Sequence, residues 1–143
     1  MKNKLVCLGH AITLHEASGD YDLMDGVSLP QVPGPPPHYH AGYHELFYVQ
    51  QGALEFAVDG QGINVAAGES INLPPHTLHT FRNVGQEPCR WLNVHSPKGF
   101  RSFFEEFGVA ASQPDAFAAS MNEHVLEQVL ARAASFDMHI ARP

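Results

Sequence analysis

Apolar and polar residues alternate along the first two thirds of the chain. Leu54, Phe56 and Val58 are separated by Glu55 and Ala57, and Ile63 and Val65 repeat the pattern. A period of two places successive side chains on opposite faces of a strand. On that basis Lys4 to Leu8, Ala11 to Glu16, Tyr21 to Leu29, His44 to Val49, Ser70 to Leu73 and Arg90 to His95 are read as strands. His79, Phe81 and Asn83 share one face of another. Ser18-Gly19-Asp20, Gln51-Gly52, Asp59-Gly60-Gln61-Gly62, Ala67-Gly68 and Val84 to Pro88 are read as turns, and Asp25-Gly26 as an interruption within Tyr21 to Leu29. Short strands with a turn every eight to twelve residues or so predict an all-β sandwich or barrel rather than a βαβ fold.

From Pro97 the period changes to 3.6. Phe100, Phe103, Phe104 and Phe107 stand at i, i+3, i+4 and i+7, on one face of a helix that Gly108 would end. That face is expected to pack on the outside of the barrel or into a dimer partner. Ser112 is a candidate cap for a short helix with Pro114 in its first turn. Asn122 is a candidate cap for a last helix with Val125, Leu126, Val129, Leu130 and Ala133 on its apolar side. The chain is therefore expected to be one domain, 1–143, with a barrel over about 4–96 and helices over about 98–136.

Composition narrows the partners. The 143 residues include 44% hydrophobic and only 16% charged, with a formal charge of -7. An acidic chain lacks the basic face that nucleic acid requires, and it does not suit an anionic membrane surface. No apolar run reaches the length of a membrane span. Met1 to Leu8 has lysines but too short an apolar core for a signal peptide, so a cytoplasmic location is expected. The low charge fits a subunit that buries surface against a second copy. Cys7 and Cys89 form no CxxC pair and are read as reduced, partly buried thiols.

Candidate chemistry concentrates between Gly34 and Gly52. Three histidines and a glutamate fall within eight residues, His38 to Glu45, behind a segment, Pro30 to Pro37, with five prolines. Imidazole nitrogen and carboxylate oxygen are ligands for divalent transition metals. His38 and His40 are two apart and point the same way on an extended chain. Glu45 has the wrong parity for that face and His44 the right one. Glycine at Ala41-Gly42 permits a slip of one residue, after which Glu45, Phe47 and Val49 face inward. The spacing alone leaves His44 and Glu45 open. A further ligand from elsewhere is expected, with His76 and His79 the candidates. In the last strand, Asn93 and His95 alternate with Leu92 and Val94, and the pair that faces inward is not readable.

At these residues the sequence resembles the cupin superfamily of small metal-binding β-barrels, in the form of single-domain bacterial cupins similar to quercetin dioxygenase. His38, His40, Glu45 and Gly52 match G-x5-H-x-H-x3-4-E-x6-G, although only three residues separate Gly34 from His38. Gly68, Pro74, His79 and Asn83 match G-x5-P-x-G-x2-H-x3-N, with His76 in place of its glycine. The resemblance implies a double-stranded β-helix of the jelly-roll type and a homodimer. It implies a divalent ion (Fe, Mn, Ni, Cu or Zn) held by His38, His40, Glu45 and His79. Glu45 would double as the catalytic base. His44, His76, Phe81 and His95 are candidates for lining the pocket or bracing a ligand from behind. The implied activity is a metal-dependent oxygenase acting on a small organic substrate. The alternatives are a non-catalytic sugar- or small-molecule-binding module and a metal-dependent isomerase or lyase.

Overall fold

Alternation decides which face of each strand is buried. A computed structural model describes residues 3–141; Met1 and Lys2, the start of the stretch read for a leader, and residues 142–143 lie outside the described residues. The strands before the helical part are β1 (Lys4–Cys7), β2 (His10–His15), β3 (Asp22–Ser28), β4 (His38–Tyr39), β5 (His44–Gln51), β6 (Ala53–Val58), β7 (Gln61–Ala66), β8 (Ser70–Leu73), β9 (His79–Arg82) and β10 (Cys89–Ser96). There follow α1 (Arg101–Phe107), β11 (Val109–Ala110), α2 (Ala116–Ser120), α3 (Glu123–Arg132), a 3-10 turn (Ala133–Phe136) and β12 (His139–Ile140). They build two antiparallel sheets, ordered β11-β1-β2-β3-β10-β5-β8 and β12-β4-β9-β6-β7. This is the expected all-β double-stranded β-helix with C-terminal helices.

The inner faces of the sheets supply the core. Met24, Phe47, Val49, Leu54, Phe56 and Trp91 are buried. The Phe47 ring lies 5.0 Å from Phe56 and 5.3 Å from Trp91 between centroids. Such contacts fill the centre of a small barrel and leave its mouth for chemistry. Strand β3 runs unbroken through Asp25-Gly26, contrary to the expected interruption. A Cβ at Gly26 would come within 2.2 Å of the Trp91 ring, so this glycine clears space for a ring. Gly34 has a similar role in the proline segment, where a Cβ would collide with the Phe81 carbonyl.

Three features of the C-terminal part differ from expectation. Residues beyond Ser96 complete both sheets: β11 pairs with β1, and β12 pairs with β4. Helix α2 starts only at Ala116, too late for Ser112 to cap it, and the side chain of Asp115 makes no capping bond. The phenylalanine stripe does not lie on the outside of the barrel. Phe103 and Phe107 are buried, and the Phe100 ring sits 4.6 Å from both His40 and His95, across the barrel mouth. In α3 the Asn122 side chain accepts from Val125 N as expected, and Val129 is buried. Leu126 and Leu130 remain exposed at 38% and 48%.

Candidate metal centre

The break between β4 and β5 creates the site. Residues Ala41 to Tyr43 leave the ladder, and β5 resumes with Glu45, Phe47 and Val49 buried and His44 exposed. The one-residue slip at Ala41-Gly42 is present, and it turns the carboxylate inward. Pairing brings the other groups in: His38 on β4 is opposite His79 on β9, and Glu45 on β5 is opposite His95 on β10. The His38 and His79 rings approach to 4.4 Å, and those of His38 and His40 to 5.0 Å.

Hydrogen bonds choose the tautomers. His38 donates from Nδ1 to the Pro36 carbonyl, His40 to the Asp137 carbonyl and His79 to the Thr77 carbonyl, each at 2.8 Å. A carbonyl only accepts, so the proton sits on Nδ1 and each Nε2 presents a lone pair to the interior. Glu45 Oε1 lies 3.0 Å from His79 Nε2 and 3.4 Å from His40 Nε2. Its other oxygen, Oε2, accepts from Asn93 Nδ2 at 3.0 Å and lies 3.1 Å from His95 Nε2.

The result is a buried cluster of acceptors facing one another. His40 Nε2, Glu45 Oε1 and both ring nitrogens of His95 have no hydrogen-bond partner. Buried polar atoms are rarely left that way without an ion or water. The trios His38, His40, His79 and His40, Glu45, His95 each bring ligand atoms within 4.8 Å of one another, close enough to hold a metal ion. Three imidazole nitrogens and a carboxylate suit a divalent transition metal.

The charge states of His38 and Glu45 agree with this, whereas His79, facing the carboxylate, is shifted toward its protonated form, and an ion bound there would take the place of that proton. Burial pushes the His38 imidazole down to about 3, with His79 and His40 adding to the effect. Burial alone would raise the Glu45 carboxyl, but His95, His40 and His79 hold it well below the usual carboxylate range. Burial lowers His79, and the facing Glu45 more than offsets it, so the net shift is upward.

The remaining candidates separate cleanly. His44 points to solvent from the outer face of β5. His76 is exposed in the left-handed region, φ 66°, which explains how it stands where the motif has glycine. Its ring lies against Tyr39, away from the cluster, while its backbone N–H donates to the His40 carbonyl. Phe81 and Asn93 line a cavity of about 60 Å³ beside the cluster, with Ile12, Phe47, Phe103 and Met138. His95 is buried at 1% exposure against Phe100. Three contributors escaped the sequence reading. Tyr43 stands edge-on to His40 and His95, and Met138 and Asp137 arrive from the far end of the chain. Only the phenylalanine stripe carried a signal toward the barrel mouth, and periodicity does not say what a helix face covers. Asn83 is a turn residue, bonding Ser28 O, Glu87 O and Gly85 N.

Residues 27–95 match the family model described as Cupin domain. The polyketide synthase CurC of Streptomyces cyaneus is 38% identical over 60 residues, 42% of this chain and 39% of that protein. Quercetin 2,3-dioxygenase of Bacillus subtilis (strain 168) is 31% identical over 71 residues, 50% of this chain and 21% of that protein. The chain thus spans well under two thirds of the length of these curated relatives. Among solved structures, KdgF from Halomonas sp. superposes with a TM-score of 0.58 at 22% identity, covering 63% of this chain and 80% of that one. The polyketide cyclase RemF from Streptomyces resistomycificus gives 0.56 at 22% identity, with 63% and 66% covered. At such identities the structural likenesses show the fold alone.

Proposed function

We propose, for a chain that carries a cupin domain, that it is a metal-dependent oxygenase acting on a small organic substrate, with His38, His40, Glu45 and His79 as the metal ligands. The observation that carries this reading is the ligand-ready cluster opening on an apolar cavity of about 60 Å³. That volume suits a molecule of the size of dioxygen or a few waters. Identity to a quercetin dioxygenase over 71 residues supports it.

When bound, an ion such as iron, manganese, nickel or copper supplies Lewis acidity and a second oxidation state. The chain's own residues do the rest. His38, His40 and His79 offer neutral donors whose orientation their Nδ1 bonds fix. Asn93 holds Glu45 Oε2, which leaves Oε1 facing the cluster. Glu45 is the base in this reading, taking the proton of an enolic or phenolic hydroxyl at Oε1. Phe81, Phe100 and Phe103 keep bulk water away from that transfer.

A second reading takes the ion as a Lewis acid without redox, because histidine nitrogens and a carboxylate oxygen are equally the ligands of Zn(II). The protein, reloaded with Fe(II), Mn(II), Ni(II), Cu(II) or Zn(II), is offered a panel of enols and phenols in an oxygen-electrode cell. Oxygen uptake with a redox-active ion and none with Zn(II) is the expected result. Turnover by the Zn(II) form without oxygen would replace the oxygenase with an isomerase or lyase. Metal binding without any turnover would leave a binding module.

A homodimer belongs to the same proposal. Leu46 and Tyr48 stand exposed at 38% and 41% on the outer face of β5, beside Val94 and Leu92 of β10, and this apolar row supports it. A monomer mass in sedimentation velocity would remove that part.

A further inference from the structure

The C-terminal segment after α3 runs along β4, the strand that carries His38 and leads directly into His40. Strand β4 is only two residues long, and it meets β9 at the single pair His38 and His79. Its other edge is covered by β12, with His139 opposite Tyr39 and Ile140 opposite His38. Ala141 N then donates to the Pro37 carbonyl at 2.9 Å, and the His139 ring stacks on Tyr39 at 5.0 Å.

Asp137, just before this strand, reaches further. Its backbone carbonyl accepts from His40 Nδ1 at 2.8 Å. Its carboxylate accepts from Ala41 N at Oδ1 and from Gly42 N at Oδ2, both at 2.8 Å. A Cβ on Gly42 would come within 3.3 Å of that carboxylate, so the glycine also leaves it room. Asp137 holds a left-handed conformation, φ 59°, and His139 Nε2 lies 2.9 Å from its Oδ1. One residue therefore touches the imidazole of His40 and both amides of the break that turns Glu45 inward. Asp137 and the strap it begins lie outside residues 27–95, the part matched by the cupin family.

We propose that Asp137 is a positioning residue of the metal centre, and that the strap Asp137 to Ala141 docks and the metal binds as one coupled event. The inference rests on the reading of His38, His40, Glu45 and His79 as ligands. A group that fixes the tautomer and orientation of a ligating histidine contributes about 10–100-fold to metal affinity. Coupling between sites is reciprocal, so bound metal should hold the strap down by the factor that the strap lends the metal.

The test uses the full-length chain, Co(II) as the probe, and the variants Asp137→Gly and Asp137→Asn. Glycine accepts the left-handed backbone, so the carbonyl to His40 can persist while the carboxylate is lost. Asparagine tolerates the same backbone and keeps one of the two acceptor oxygens. Co(II) affinity, the visible Co(II) spectrum and amide exchange at Ala41, Gly42, His139 and Ile140 are recorded. Wild type should bind Co(II) and slow exchange at those amides. Asp137→Gly, which keeps the carbonyl to His40 but frees Ala41 and Gly42, should bind more weakly, at the lower end of that range or about tenfold, with an altered spectrum and little metal-dependent protection. Asp137→Asn should fall between, folded and partly rescued. Equal affinity and an unchanged spectrum in both variants would overturn the positioning role and leave the metal centre standing. Failure of the wild-type chain itself to bind Co(II) would overturn the metal centre and this inference together.

Discussion

His10 and His38 are both buried imidazoles, yet they have opposite uses. His10 satisfies both nitrogens, at Ser28 Oγ (2.8 Å) and the Pro33 carbonyl (3.0 Å). His38 satisfies only Nδ1 and turns its other nitrogen to the cluster. Burial pushes His10 down to about 4. In the unfolded chain it titrates near its ordinary value, so between the two values the unfolded state binds more protons. Stability is then lost as pH falls through that window. From about pH 7 to about pH 5, His10 should withdraw roughly 2 kcal/mol, at 1.36 kcal/mol per unit. His38 shares the direction, so the measure is the difference between metal-free wild type and His10→Gln in urea unfolding. Parallel losses in the two proteins would refute it. At this scale the sequence was informative about parity and silent about partners. The two-residue spacing of His38 and His40 placed them on one face. Glu45 entered through a slip that glycine only permits, and Asp137 was unreadable because its contact with His40 crosses 97 residues.

Helix α1 shows what periodicity does and does not carry. Four phenylalanines at helical spacing announced an apolar face, and Arg101–Phe107 is helical. The partner of that face was not announced. Phe103 is 2% exposed and stacks on Phe100 at 5.1 Å, while Phe107 lies 5.4 Å from Phe136. Thus α1 is fixed on one side by the 3-10 turn and on the other closes the barrel mouth. Phe103→Ala should cost about 3–5 kcal/mol, in the range for burying and then deleting a phenylalanine. Phe104→Ala, at a half-buried position, should cost less and widen access to the cluster. Urea unfolding of both variants gives the comparison, and a cost below about 1 kcal/mol for Phe103→Ala would mean that the helix is not packed as described. Strands β11 and β12 were missed for a different reason. Two residues are too few for alternation, and both strands exist only because a distant edge, on β1 or β4, is there to receive them.

At the scale of the whole molecule, strand content and barrel class followed from short alternating runs, because a buried inner face is a requirement that every strand meets separately. The centre needed four strands and a break brought together, which no single run expresses. Without an ion, the fold keeps His40 Nε2 and Glu45 Oε1 buried and unpaired. An ion that binds the folded state and not the unfolded one should therefore stabilise the entire chain. At a free metal concentration 100 times Kd the gain is about 2.7 kcal/mol. For a chain of this size each kcal/mol moves Tm by roughly 3–4 °C, so a shift of about 8–11 °C is expected. His40→Ala should abolish that shift. His44→Ala should preserve it, because the exposed His44 faces away from the cluster. Scanning calorimetry on the three proteins, with and without Zn(II), separates a metal centre from surface histidine binding. If His44→Ala lost the shift and His40→Ala kept it, the ion would be held on the outer face of β5, and the inward cluster would be a polar core without a cation.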